Sequence, residues 1–449
     1  MKFFEKSGFR AAIAAAAIAS APFQTALAGA PNPEAVRPLA EFSERLGMPN
    51  LAKKLEDGKN VKIAYLGGSI TEQNGWRVHS RKYLARKYPK ARVGEINAAI
   101  GGTGSDLGCL RVGADVISKN PDAVFVEFAV NDAWRNPRDI FRDMEGIVRQ
   151  IWAKSKETDI CFVYTVTERD AAALENGEMS RAASAMEALA DYYGIPSIHF
   201  GKEIADNLAS GKLIMKTGAD VKYVDGEALD ESAAIARTPD GKIPFSKDGV
   251  HPYPNTGHLL YQKAFARSFD ALAKSGKGAG GAARARSLPA ADPMSPVSVK
   301  TLPLDAAKLF GKTGDVPWDS PAMSGKFKER APFGFKKFET GSGFEIEFSG
   351  RRLVMYALFG PSCGEADVRA DSEKARKAKF FDGYSSYYRM MPVKLFDGGR
   401  GKHRARLEMS AEKMDKRAIL LPEHAKRFDE NPAAFTPQNG YACCLYIVE

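Results

Sequence analysis

Residues 61–71 read VKIAYLGGSIT. An apolar run of strand length ends in two glycines and a serine. The small residues permit a tight strand-to-helix turn that exposes the serine hydroxyl. The pattern downstream sets the fold class. A helix is expected over residues 76–88, a strand over 92–97, and a helix after Ser105. Further strands are expected over 123–128 (AVFVEF), 160–166 (ICFVYTV) and 195–199, with helices over 140–154, 179–193 and 256–272. Apolar strands alternating with helices predict βαβ units, that is, an α/β domain whose parallel sheet is covered on both faces.

Residues 274–296 read KSGKGAGGAARARSLPAADPMSP, a composition that marks a boundary. Beyond it, short strand candidates at 344–348, 353–359, 388–395, 403–409 and 441–448 are separated by Gly, Asp and Pro turns, which predicts an antiparallel β-sandwich. A short helix is expected within 411–426. The expected organisation is a hydrolase-like domain at 29–274, a linker at 275–296 and a β-sandwich at 297–449.

At about 150 residues per domain, 449 residues suit two or three domains. With 44% hydrophobic and 27% charged residues, wholesale disorder and a fibrous protein are excluded. No run of ~20 apolar residues occurs in the body of the chain, so no integral membrane segment is expected there. At the start, Lys2, Lys6 and Arg10 precede an apolar run from Ala11 to Pro22 and a small-x-small site at Ala26-Leu27-Ala28. Residues 1–28 are therefore expected to be a signal peptide, and the mature protein to be periplasmic or secreted.

The net charge is +10. Residues 1–28 carry Lys2, Lys6 and Arg10 against Glu5, so their loss leaves +8. From Ser275 onward, 29 Lys and Arg stand against 21 Asp and Glu, so the excess lies in the C-terminal part. Such a face suits an anionic glycan, and export disfavours nucleic acid as the partner. Cys109, Cys161, Cys363, Cys443 and Cys444 are an odd set, so at least one thiol stays unpaired whatever disulfides export permits. No CxxC or Cys/His ligand spacing is present, and no metal or cofactor is expected.

In an open α/β sheet, ligands bind beyond the carboxyl ends of the strands. Gly67-Gly68-Ser69-Ile70 follows the first strand, and a loop from Asn97 to Gly104 containing Gly101-Gly102 follows the second. Ala129-Val130-Asn131-Asp132 follows the third, and Asp248-Gly249-Val250-His251-Pro252 precedes the closing helix. Each piece alone is an ordinary turn or cap. Together, and in this order, they supply a nucleophile, a base, a group to orient it and oxyanion donors, the parts needed for acyl transfer.

These four blocks resemble those of the SGNH/GDSL hydrolase superfamily over residues 61–272. Gly68 stands where that family often has Asp, and Ala129 where it often has Gly. The resemblance implies a flavodoxin-like three-layer α/β/α fold and ester hydrolysis, commonly of an acyl group on a sugar or lipid. Ser69 is then the expected nucleophile, His251 the base and Asp248 its orienting partner. The backbone N–H groups of Ser69 and Gly102 and the Asn131 side chain form the expected oxyanion hole. An ordinary α/β-hydrolase would carry G-x-S-x-G at a centrally placed serine, which is not the pattern here. A phosphate-binding role lacks both the Walker lysine and the G-x-G-x-x-G register.

The expected activity is removal of O-acetyl groups from a polysaccharide or oligosaccharide. An acyltransferase using the same triad, and a carbohydrate-binding protein with a degenerate hydrolase domain, are the alternatives. Asn97, Thr103 and Asp106 are candidates to support the site, and Trp76 suits either a pocket wall or the core. His79, His199 and His258 lie outside the blocks and are expected to be packed, as are Met144, Met179 and Met186. Phe380, Phe381, Tyr384, Tyr387 and Tyr388, beside Lys374, Arg376, Lys377 and Lys379, suit either a sugar-binding face or a sheet core.

Overall fold

The computed structural model describes residues 31–449 except 219–220, 231–232, 276–284, 318 and 321–324. The expected signal peptide and residues 276–284 of the expected linker lie outside the described residues.

The N-terminal domain is built on a six-stranded sheet. Its strands are β1 (Phe42–Ser43), β2 (Val61–Gly67), β3 (Val93–Asn97), β4 (Ala123–Glu127), β5 (Asp159–Tyr164) and β6 (Ser197–His199), in spatial order β1-β6-β5-β4-β2-β3. β2 to β6 run parallel, and the short β1 closes the edge antiparallel to β6. Alternation along β2 shows why the sheet needs cover on both faces. Ile63 and Tyr65 enter one core with Trp76, Phe125, Val163 and Phe265. Ala64 and Leu66 enter the other with Val126, Phe162, Met144 and Met186. Helices Trp76–Lys87 and Gly257–Ser275 cover the first face; Ser105–Asp115, Pro137–Lys154 and Arg181–Tyr193 cover the second. A two-stranded parallel pair, β7 (Leu213–Lys216) and β8 (Ile243–Ser246), leads into the closing helix.

β2 lies between β3 and β4, so the strand order reverses there. The loops after β2, β3 and β4 start from that reversal at the carboxyl edge, the position where such sheets bind ligands.

The named strands of the C-terminal domain all pair antiparallel. Its strands are β9 (Val299–Pro303), β10 (Lys308–Phe310), β11 (Thr313–Asp315), β12 (Lys336–Phe338), β13 (Gly343–Phe359), β14 (Glu365–Ala370), β15 (Arg376–Lys379), β16 (Arg389–Met409) and β17 (Gly440–Val448). They form one hydrogen-bonded set in the order β11-β12-β17-β13-β16-β14-β15, with β10 on β13 and β9 on β17. Four of the short strands expected from the sequence are two long ones here. Residues 349–350 and 397–401 carry turn-forming Gly and Asp. The ladder instead absorbs them as an irregularity: Gly350 pairs with Gly401, and Arg352 pairs with Asp397.

Every residue of β17 is buried, and so is 353–358 of β13. An antiparallel sheet with one wet face would alternate, so both faces are covered here. The core on the Ala64 side of the parallel sheet runs without a break into Tyr356, Leu445 and Tyr446 of this domain. Leu288 to Pro296, expected as linker, are fastened along helix Pro137–Lys154. Glu145 accepts hydrogen bonds from the Ala291 and Asp292 N–H groups and from Ser295 Oγ at 2.6, 3.0 and 2.6 Å. Asp292 meets Arg138 and Arg142. All five cysteines are buried free thiols.

Candidate active site

The serine is set by backbone geometry. β2 ends at Gly67, Gly68 is extended, and Ser69 opens a single helical turn, Ser69–Glu72. A Cβ at Gly67 would sit 2.7 Å from the Glu127 carbonyl oxygen, so the chain can pass this close to β4 only without a side chain. The Ser69 hydroxyl then meets a segment 182 residues away: His251 Nε2 lies 2.8 Å from Ser69 Oγ. His251 Nδ1 lies 2.7 Å from Asp248 Oδ2.

Asp248 Oδ1 accepts the N–H groups of Val250 and His251, each at 2.8 Å. Partial burial pulls the Asp248 carboxyl up. The hydrogen bonds from His251 and the Val250 N–H outweigh it and hold the group well below the usual carboxylate range. Its contribution to stability is therefore present above the unfolded value of ~3.9 and is lost as pH falls through the lower folded value. Asp248→Asn is expected to lower Tm modestly at pH 7, and the gap from the parent to narrow below about pH 4. A gap unchanged down to pH 3 in thermal melts would contradict this.

The glycine loop closes the other side. Gly102 has φ +75°, a left-handed conformation that a side chain would strain. A Cβ on Gly101 would come within 3.4 Å of Ser69 Cβ, so this loop abuts the serine. Gly101 N–H donates to Glu72 Oε2 at 3.0 Å. The N–H groups of Ser69 and Gly102 and the Asn131 side-chain amide make no hydrogen bond among the described residues. Three unspent donors thus lie on the serine turn and the two segments beside it. The described residues contain no group of three His, Cys, Asp or Glu placed to hold a metal ion.

Residues 65–258 match the model of the GDSL-like Lipase/Acylhydrolase family. The chain carries a GDSL-like lipase/acylhydrolase domain. It is a carboxylic ester hydrolase of that type. A search of the curated proteins finds no match. Among solved structures, a two-domain esterase active on acetylated mannans, co-crystallised with mannopentaose, aligns with TM-score 0.63 and 18% identity. It covers 90% of this chain and 96% of that one. A further structure of a two-domain esterase active on acetylated mannans aligns with the same score and coverage at 17% identity. The likeness is one of fold and spans both domains.

Within the GDSL-like domain, the glycine at 68 has a steric cause. A Cβ there would fall 1.9 Å from Asn131 Oδ1, so the Asn131 side chain occupies the space that an Asp at 68 would need. Of the supporting candidates, Asn97 Oδ1 accepts the Ala99 N–H and Thr103 Oγ1 donates to the Ile100 carbonyl, both shaping the glycine loop. Asp106 lies in the first turn of helix Ser105–Asp115. His79, His199 and His258 are buried, as expected, and burial lowers all three, His199 to about 4. His258 Nδ1 accepts the Trp76 N–H at 3.0 Å. Trp76 itself is core rather than pocket wall: its ring packs against Tyr65, Phe125 and Phe200, and Nε1 donates to Thr71 Oγ1.

Several residues that hold the site were given no role by the sequence reading. Glu127 ends β4 beneath the serine turn, fully buried, and accepts Thr71 Oγ1 and Thr165 Oγ1 at 2.8 Å each. Burial pushes its carboxyl up; those hydroxyls and the Gly68 N–H pull the other way. Asp132 is buried and accepts the Ser105 N–H at 3.2 Å, so it ties the glycine loop to the turn bearing Asn131. Burial pushes Asp132 up to about 7 against the pull of Arg135. Arg330 of the C-terminal domain donates to the Asn97 and Ala99 carbonyls at 2.6 and 3.2 Å, bracing the same loop from outside. The acidic motif partner Asp248 was legible three residues before a His. Glu127 and Arg330 had no such local signal.

Proposed function

We propose that this chain is an exported esterase that removes O-acetyl groups from a polysaccharide or oligosaccharide, with Ser69, His251 and Asp248 as its catalytic triad. The observation that carries the reading is the His251 imidazole between Ser69 Oγ at 2.8 Å and Asp248 Oδ2 at 2.7 Å. Ser69 Oγ attacks the ester carbonyl as His251 Nε2 takes its proton. The Asp248 carboxylate holds Nδ1–H and stabilises the imidazolium. The tetrahedral oxyanion is met by the N–H groups of Ser69 and Gly102 and by the Asn131 amide. Collapse expels the sugar alcohol, protonated by His251. Water, deprotonated by the same imidazole, then releases acetate from the acyl-serine.

A carbohydrate substrate is supported by the fold shared with the acetyl-mannan esterase. Export is supported by the basic, apolar and small-residue pattern of residues 1–28. No helix among the described residues is long and apolar enough to cross a membrane.

The test is turnover of 4-nitrophenyl acetate, followed by acetate release from acetylated mannan, xylan and pectin. Failure on 4-nitrophenyl acetate refutes the triad; turnover there with no acetate from any glycan refutes the carbohydrate assignment. Asn131→Ala is expected to lower kcat by about 10²–10³-fold, the usual loss for one oxyanion donor, with a smaller change in KM. A kcat within threefold of the parent would remove Asn131 from the oxyanion hole.

A further inference from the structure

Trp134 is 81% exposed, the most exposed large apolar side chain among the described residues. Folding does not demand an indole in water. Its place is specific. It lies three residues beyond Asn131, in a run of turns where Asp132 N–H bonds Phe128 O and Arg135 N–H bonds Asp132 O. Positions three apart in such turns are within about 7 Å. One side of the ring is held by the Arg169 guanidinium, 5.5 Å from the ring centroid. Arg169 follows Glu168, whose N–H donates to the Gly249 carbonyl at 2.7 Å, inside the Asp248–His251 loop. The Trp134–Arg169 pair therefore joins the segment that carries Asn131 to the segment hydrogen-bonded to the Asp248–His251 loop.

We propose that Trp134 is a specificity-determining residue: its open face stacks on a pyranose ring of the glycan whose ester lies at Ser69. This rests on the carbohydrate-esterase reading above and names the group that recognises the sugar. A pyranose offers an apolar C–H face that matches an indole in size, and a two-torsion aromatic binds it at low entropic cost. Arg169 lies over the other side of the ring and favours that orientation of the indole. A small ester such as 4-nitrophenyl acetate carries no sugar and gains nothing from the platform.

The experiment has two arms. In the first, Trp134→Ala and Trp134→Phe are compared with the parent on 4-nitrophenyl acetate and on an acetylated manno-oligosaccharide. Trp134→Ala is expected to raise KM for the oligosaccharide about tenfold, and to lose at least five times more kcat/KM on it than on 4-nitrophenyl acetate. Trp134→Phe is expected to restore most of that difference. Equal losses on the two substrates, or none, would overturn the proposal. In the second arm, Ser69→Ala protein is titrated with mannopentaose and xylopentaose while intrinsic tryptophan fluorescence is followed. At least one sugar is expected to give a saturable change that disappears in the Ser69→Ala/Trp134→Ala double variant. A change that survives the double substitution, or no change with either sugar, counts against the platform. An inactive parent would refute the esterase reading, while this second arm would still decide the role of Trp134.

Discussion

Ser69→Ala abolishes ester hydrolysis while the protein stays folded; this is the largest functional effect expected here. Loss of a serine nucleophile costs on the order of 10⁴-fold or more in kcat, because neither His251 nor the oxyanion donors can replace the acyl-serine step. The structural cost is small. Ser69 is half-buried at a helix start, and its hydroxyl makes one hydrogen bond, to His251. Removing one such bond costs about 1 kcal/mol. The measurement is the turnover of 4-nitrophenyl acetate together with a thermal melt. A variant within tenfold of the parent would displace Ser69 as nucleophile. A lost melt transition would mean that the residue is structural.

Ending the chain at Ser275 is expected to yield an insoluble or poorly folded N-terminal domain, with turnover of even a small neutral ester reduced at least tenfold. Two observations lead there. First, the core containing Leu66, Phe128 and Met144 continues into Tyr356 and Leu445, so truncation exposes the apolar residues of that core that meet the C-terminal domain. The buried Arg111–Asp115 pair, held at 2.6 Å beside Tyr356 and Cys444, would be opened to water. Second, the glycine loop would lose Arg330 from the Asn97 and Ala99 carbonyls.

The competing expectation is that the C-terminal domain steers an anionic polymer. Truncation would then spare small esters, and salt would weaken polymer turnover over a screening length of ~8–10 Å. The structure weakens the basis for steering. Lys377 lies among Glu365, Asp367 and Glu412, Glu345 binds both Arg404 and Arg406, and Arg376 is spent on the Lys394 and Leu395 carbonyls. A soluble fragment with parental activity on 4-nitrophenyl acetate and a salt-sensitive intact enzyme on acetylated pectin would reverse this conclusion.

The aromatic segment divides in the same physical way. Phe380 and Phe381 are core, whereas Tyr384 and Tyr387 are 45% and 41% exposed, beside His424 and Arg389. Nothing in residues 380–388 marks which aromatic faces which way, because Leu420 and Phe435, which bury Phe381, lie 39 and 54 residues further on.

What could be read from the chain alone was whatever depends on near neighbours. Apolar runs alternating with helical periods defined the parallel sheet, since burial on both faces requires that pattern. Gly67-Gly68-Ser69 placed a serine on a tight turn, and Asp248 three residues before His251 placed a carboxylate against an imidazole, because both geometries are local. Only the tertiary structure decided what depends on contacts between distant segments. Trp76 and Trp134 each follow a site block by a few residues. Trp76 is core because His258, 182 residues on, seats its backbone and Tyr65, Phe125 and Phe200 close over its ring. Trp134 stays largely in water, with the Arg169 guanidinium over one side of its ring. Glu127, Asp132 and Arg330 belong to the same class. A buried carboxylate or a bracing guanidinium is recognised by its partners, and those partners were brought to it by the order in which β2, β3 and β4 lie in the sheet.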